Sequence, residues 1–129
     1  ALVRNEKYCL SWLEEFIFRV DVLECAFLEL EDLLEIQEYK KEMTQGAAYC
    51  VLFVCPKIGS LSREAREFLA TPEANHKALA KAVIAPNLGV RMLYDFFVSV
   101  NKPPVPHKAF RELTEAMNWM REQRLRQPN

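Results

Sequence analysis

A chain of 129 residues, half of them hydrophobic and 27% charged, has the size and composition of one folded domain with a real core. Seventeen basic and eighteen acidic residues leave a net charge of -1, which argues against nucleic acid or an acidic membrane as the main partner. No apolar run approaches the roughly 20 residues that span a bilayer, and no signal peptide is recognisable, so we expect no transmembrane segment.

The pattern of apolar residues predicts alternating strands and helices. Residues 8–13 and 16–22 alternate in side-chain direction, which predicts an antiparallel hairpin. Residues 50–54 form a nearly continuous apolar run, typical of a central parallel strand covered on both faces. Two further strands are predicted over residues 79–85 and 107–110, and four helices separate or follow the strands.

These elements give the order ββαβαβαβα and predict an α/β fold with a mostly parallel, five-stranded sheet and right-handed crossovers. We find no internal repeat and no linker in the sequence. The whole chain, residues 1–129, is therefore expected to form a single domain, with a core over residues 8–121 and a tail over residues 122–129.

The helix predicted over residues 29–44 carries an acidic ridge opposite its leucines. Four glutamates recur at spacings of four, three and four: Glu31, Glu35, Glu38 and Glu42. Such a row is typical of a solvated face, and the alternative is a docking surface for a basic partner.

The helix predicted over residues 88–100 is the most apolar of the four. Met92, Leu93, Phe96, Phe97 and Val100 share one broad face, which either packs as ordinary core or lines a pocket against the sheet. Outside that face lie Tyr94 and Val98, a small apolar patch that we interpret as a candidate interaction surface.

Ser62 stands where the third strand has turned into a helix. A serine at this place caps the helix by accepting a backbone N–H bond, and it is also where a phosphate would meet the positive helix end. Capping alone explains the residue, so we keep Ser62 as a candidate phospho-acceptor of second rank. Ser60, a turn residue, is a weaker candidate still.

Four cysteines lie in or beside apolar segments: Cys9, Cys25, Cys50 and Cys55. They form no C-x-x-C pair, and only His76 and His107 could join them as ligands, so we expect no metal and no cofactor. Free buried thiols indicate a reducing compartment and hence a cytoplasmic protein.

Catalytic chemistry is not recognisable in this sequence. Cys55 ends a strand before a turn, but no base is placed beside it by any known spacing, so a structural thiol is the simpler interpretation. His76 and His107 are expected to be surface or turn histidines. The three glycines, Gly46, Gly59 and Gly89, are isolated, which excludes a glycine-rich phosphate loop. We therefore predict no enzyme.

The order of elements, with "SWLEEFIFRVDVL" leading, resembles the STAS fold of anti-sigma-factor antagonists. The segments "LSREAREFLATPEANHKALAKAVI", "RMLYDFFVSVNKPPVPHKAF" and "EAMNWM" are similar to an uncharacterised bacterial STAS-like group. In the antagonists the phosphorylated serine lies at the start of the helix after the third strand, which implies Ser62 here. The bulky Leu61, Arg63 and Glu64 around it depart from the antagonist pattern. The sheet is also shared with lipid-carrier domains of the CRAL-TRIO type.

Two functions of different class follow from these observations. The first is a non-catalytic interaction or regulatory domain that binds a protein partner or a second copy of itself. The second is a small-molecule or lipid-binding domain with an apolar pocket between the sheet and the helix at 88–100, lined by Met92, Phe96, Phe97 and Val100.

Overall fold

The computed structural model describes residues 3–24, 26–55 and 61–126. Over these residues the chain forms six strands and four helices. The strands are β1 (Val3–Arg4), β2 (Tyr8–Glu14), β3 (Ile17–Val22), β4 (Tyr49–Val54), β5 (Ala78–Ile84) and β6 (His107–Phe110). The helices are α1 (Leu30–Thr44), α2 (Arg63–Leu69), α3 (Leu88–Asn101) and α4 (Leu113–Arg126).

All six strands belong to one sheet, in which their spatial order is the same as their order along the chain. The pairs β1–β2 and β2–β3 are antiparallel, and the pairs from β3 to β6 are parallel. The predicted α/β class, hairpin and order of elements are confirmed. The predicted number of strands was wrong by one, because β1 has only two residues, too few to show any alternation, and pairs Val3 with Leu10.

Strand β4 lies at the centre of the sheet and is covered on both faces, as its apolar run predicts. On one face Val51 and Phe53 pack in a core with residues of α1 and α2, including Leu33 and Leu69. On the other face Cys50 and Leu52 pack with Ala116 and Met120 of α4. The helices therefore form two layers, with α1, α2 and α3 on one face of the sheet and α4 on the other.

The helix ends follow from local chemistry. At the start of α1 the Asp32 carboxylate accepts the backbone N–H of Glu29 at 2.9 Å. The helix stops where Gln45 and Gly46 adopt positive φ values of 50° and 83°. Helix α4 continues to Arg126 with Gln123 buried, so residues 122–126 are part of the last helix rather than of the predicted tail.

Helix α3 is fixed firmly at its start. The Asn87 side-chain oxygen accepts the N–H groups of Gly89 at 2.7 Å and Val90 at 3.3 Å. The Arg91 guanidinium donates to the carbonyls of Ala85 and Pro86, at 2.8 and 2.9 Å. These contacts join the helix to the end of β5, and they set how far the helix stands above the sheet.

Candidate functional site

A pocket of about 520 Å³, partly open to solvent, lies between part of α3 and the sheet. Its wall is mostly apolar and includes Phe53 and Val83 from the strands, Leu69 from α2, and Val90 and Phe97 from α3. Volumes of about 300–1,000 Å³ with a mainly hydrophobic lining are usual for small-molecule sites. The predicted space between the sheet and α3 thus exists in the structure.

Helix α3 contacts the sheet through a different face from the one that its sequence indicated. Val90, Tyr94 and Phe97 pack partly buried against the core beneath the helix. The Tyr94 ring lies 5.9 Å from that of Phe97 and stacks at 6.5 Å on His107 of β6. Tyr94 therefore forms part of the pocket wall instead of an exposed patch, and its neighbour Val98 is half-buried.

The predicted pocket residues divide between the pocket and the outer surface. Phe96, Phe97 and Val100 are among the residues that line the pocket. Phe96 and Val100 lie at its rim, since both side chains are also largely exposed. Met92 does not line the pocket, and 62% of its surface is exposed. The reason is the rotation of α3, which turns residue 92 to the solvent side of the helix.

Lys81 is a buried cation in the pocket wall. It lies in the middle of β5 and is 1% exposed. Its Nζ atom donates to the carbonyl oxygen of Ala74 at 3.1 Å, and Lys40 Nζ donates to the same oxygen at 3.3 Å. Burial, reinforced by the nearby Lys40, lowers the pKa of Lys81 well below its ordinary value. Burial also lowers the pKa of Lys40, to about 8.

His107 faces the same side of the sheet as Lys81, because the two residues are register partners in parallel strands. Its Nδ1 lies 2.8 Å from the carbonyl oxygen of Val105; a carbonyl only accepts, so Nδ1 carries the hydrogen. The Nε2 atom is buried and has no hydrogen-bond partner among the described residues. Burial lowers the pKa of His107 to about 4, so the imidazole is neutral near pH 7.

Two weakly acidic side chains also line the pocket, the Cys55 thiol and the Tyr94 phenol, and both are kept protonated. Burial raises the pKa of the Cys55 thiol to about 12. Burial, followed by the proximity of Cys55 and Asp95, raises the pKa of the Tyr94 phenol. A thiol in this state is a poor nucleophile, which agrees with a structural role for Cys55.

Neither Lys81 nor the burial of His107 was identified from the sequence. The signal for Lys81 was present: it is the one charged residue within the apolar strand "ALAKAVI". A lysine at such a position must bury its ammonium group, and buried charges are concentrated at functional sites. His107 carried no such signal, because its burial depends on α3 covering β6.

The acidic ridge of α1 is exposed along its whole length: Glu31, Glu35, Glu38 and Glu42. Two of its carboxylates have partners within the protein. Glu35 accepts the hydroxyl of Tyr8, and Glu38 pairs with Lys41 at 3.5 Å. The ridge is thus a solvated helix face with part of its charge already paired.

Ser62 is the N-cap of α2. Its Oγ atom accepts the backbone N–H of Ala65 at 3.1 Å, and its own N–H donates to the carbonyl of Leu28 at 2.8 Å. The hydroxyl therefore has the capping role that the sequence predicts. Ser60 lies outside the described residues.

A second depression, of about 590 Å³, lies beside the C-terminal end of α1. Exposed polar residues such as Lys41, Glu73 and Lys77 make up much of its wall. It contains no buried charge of the kind that Lys81 supplies, so the α3 pocket is the better candidate site.

Residues 11–124 match the model of a protein family described as "Domain of unknown function (DUF7793)". The chain belongs to the DUF7793 family. This DUF7793 domain is similar in structure to an uncharacterized protein of the DUF3478 family, with a SpoIIAA-like fold, from Shewanella loihica PV-4. The two share 14% sequence identity with a TM-score of 0.64 over 93% of this chain and 99% of the other. No curated protein matches the chain.

The comparison confirms the STAS-like fold that the sequence indicated, because a SpoIIAA-like fold is a STAS-like fold. At 14% identity the likeness extends to the fold alone. Within the described part of the DUF7793 domain, no group of three or more His, Cys, Asp or Glu side chains is placed to hold a metal ion. Of the four helices described, none is long and apolar enough to cross a membrane.

Proposed function

We propose that this DUF7793 domain is a non-catalytic binding domain whose pocket beneath α3 holds an apolar small molecule or lipid. The observation that carries the proposal is the pocket of about 520 Å³ with an apolar wall and a buried lysine. The mostly apolar wall is partly open to solvent, so an apolar ligand that enters the pocket removes this surface from water. A space of this size beside aromatic side chains is what a bound ligand requires.

The proposal is tested with N-phenyl-1-naphthylamine, an uncharged apolar probe that fluoresces when it leaves water. The wild-type protein should bind the probe saturably at one site. Val90→Phe places a larger side chain in the pocket and should abolish this binding. Met92→Phe, on the outer side of the same helix, is the matched control and should bind like the wild type. Equal binding by the two variants would refute the pocket as the site.

A second candidate function is an interaction domain that binds a second copy of itself. The outer side of α3 carries four exposed apolar residues spaced four apart: Leu88, Met92, Phe96 and Val100. Such residues form one ridge along a helix, and exposed apolar rows of this kind mark interaction surfaces. The only charged residues of α3 are Arg91 and Asp95, and Arg91 is held by backbone carbonyls. An almost uncharged ridge suits another copy of the same ridge better than a charged partner.

Sedimentation velocity tests this second function. A dimer that Met92→Glu converts to a monomer would support it, with Glu38→Lys on the acidic ridge as a control that leaves the dimer intact. A wild-type protein that stays monomeric at high concentration would refute it. The acidic ridge of α1 is the other surface proposed for a partner, in that case a basic one. Its binding would weaken as salt is added.

Two further features belong to this proposal. The raised pKa of Cys55 supports a non-catalytic role, because a protonated thiol does not act as a nucleophile. Thiols beside apolar segments support a reducing, cytoplasmic compartment. Phosphorylation of Ser62 remains a lesser proposal, since the modification would have to break the bond that the hydroxyl makes to the N–H of Ala65.

A further inference from the structure

We propose that the ligand of the α3 pocket is an apolar carboxylic acid, whose carboxyl group accepts a hydrogen bond from Lys81 and shares its proton with the Nε2 atom of His107. This inference rests on the proposed binding function and specifies the chemical class of the ligand. Two buried nitrogen groups, on the register partners Lys81 and His107, line the same mostly apolar pocket.

The hydrogen-bonding capacity of Lys81 is only partly used. An ammonium group has three hydrogens to donate, and within the described part of the chain Lys81 Nζ donates to one acceptor, the carbonyl of Ala74 at 3.1 Å. That oxygen is already shared with Lys40. A lysine buried in this way leaves donors without acceptors, which is costly inside a protein.

The Nε2 atom of His107, which has no hydrogen-bond partner among the described residues, is the second half of the site. Lys81 and His107 are register partners on neighbouring strands, so their side chains leave the sheet on the same face. The Nδ1 atom is held by Val105, which fixes the ring and leaves Nε2 as the free position. With the hydrogen on Nδ1, Nε2 is an acceptor, so the O–H of the acid donates to it or transfers its proton to it. The other carboxyl oxygen accepts from the Lys81 amine.

Charge favours an anion over a neutral polar head. The buried nitrogen bases among the described residues that line the pocket are Lys81 and His107, and this lining includes no Asp or Glu. Lys40 adds a second buried amine behind Lys81. In their charged forms Lys81, Lys40 and His107 would repel one another, and burial disfavours those forms as well. A ligand carboxylate would reverse both effects, because a nearby negative charge raises the pKa of an amine or imidazole.

The apolar part of the ligand is specified by the rest of the wall. Leu69, Val83, Val90 and Phe97 are among the apolar residues that line the same pocket. They offer no polar contact, so the body of the ligand is a hydrocarbon chain or ring. Phe96 and Val100, exposed at the rim, would be covered when the pocket is filled.

Decanoate and decanol test the inference, because they share one hydrocarbon chain and differ in the charged head. Each is added to the protein loaded with N-phenyl-1-naphthylamine, and displacement of the probe is followed by fluorescence. Decanoate should displace the probe from the wild type at a concentration about tenfold lower than decanol or less, as charge-assisted hydrogen bonds require.

Three variants locate the head group. Lys81→Met keeps the length of the side chain and should reduce the preference for decanoate to about twofold, with decanol unaffected. His107→Phe keeps the ring that stacks on Tyr94 and should weaken the preference as well. Arg66→Met is the control: Arg66 also lines the pocket, but its guanidinium is exposed and donates to the carbonyl of Leu61 at 2.8 Å. Its preference for decanoate should remain.

The outcomes separate this inference from the proposed function. Equal displacement by decanoate and decanol, or a preference that survives Lys81→Met, would overturn the carboxylate site and leave the apolar pocket standing. A preference lost in Arg66→Met alone would place the head group at the mouth and equally overturn it. Probe binding that Val90→Phe does not change would instead refute the pocket itself.

Discussion

Lys40 is a buried amine whose replacement by methionine should stabilise the protein in a pH-dependent way. The side chain is 4% exposed; among the residues that the structure describes, its Nζ contacts the Ala74 carbonyl at 3.3 Å and the Tyr49 ring at 5.4 Å from its centroid. Burial lowers its pKa from 10.5 to about 8. At about 1.4 kcal/mol per pKa unit, the charged form costs the folded state roughly 3 kcal/mol near pH 7.

Lys40→Met removes this cost and loses one hydrogen bond and one cation–π contact, each worth roughly 1 kcal/mol. The net gain in the free energy of unfolding at pH 7 should therefore be about 1–2 kcal/mol. The folded-state pKa lies below the unfolded one, so the folded protein binds fewer protons between pH 8 and 10.5. Wild-type stability should rise relative to the variant across that window, and the advantage of the variant should disappear by its upper end.

Urea unfolding followed by circular dichroism, at intervals from pH 7 to pH 10.5, measures this difference. The control is Lys41→Met, because Lys41 is the adjacent lysine of α1 and is exposed. Its stability difference from the wild type should not change with pH in the same way. A difference for Lys40→Met that is constant over the whole range would refute the reasoning, and so would a variant less stable than the wild type at pH 7.

Three further predictions concern single residues. Ser62→Ala should lower the free energy of unfolding by about 1 kcal/mol in urea melts, while Ser62→Asp should retain the cap; equal losses in both would contradict the capping role. Burial raises the pKa of Cys55 to about 12, so at pH 8 it should react with iodoacetamide roughly a thousandfold more slowly than a free thiol of pKa about 8.5. Peptide mass spectrometry follows the labelling, and rapid labelling would mean that the thiol is not buried. Lys102 has a φ of 46°, so Lys102→Gly should raise the melting temperature through a gain of roughly 1 kcal/mol; Lys102→Ala, which relieves no strain, should bring no such gain.

Much of the fold could be predicted because most of the strands are recognisable from the apolar pattern of their own residues. The buried run of β4 and the alternation of β2 and β3 each reflect which faces of the sheet are covered. The alternation of strands with helices then leaves few topologies open. Strand β1 carried no signal, since two residues show no period and its position depends on pairing with β2.

The orientation of α3 could not be predicted from its pattern. Apolar residues occupy nearly every side of this helix, from Leu88 and Val90 to Val98 and Val100, so the period of 3.6 residues does not select one inward face. The contact of Tyr94 with His107 decides the rotation. That contact joins two elements and is not encoded in either segment alone.

The candidate site was less predictable than the fold. Lys81 could have been recognised as a charge inside an apolar strand. Lys81 lies beside His107 because of the register between β5 and β6, and no local sequence pattern specifies that register. The pocket is lined by residues of the sheet, α2 and α3, so it depends on how separate elements pack together and not on the pattern of any one segment.

Native mass spectrometry of the protein purified from its own host, without detergent, tests the central claim most directly. The wild type should carry a small molecule that is lost on mild denaturation, and Val90→Phe purified in the same way should carry none. The released compound should ionise as an acid of mainly hydrocarbon composition. A wild-type protein that is bare, or one whose bound mass is unchanged by Val90→Phe, would contradict a ligand-binding pocket beneath α3.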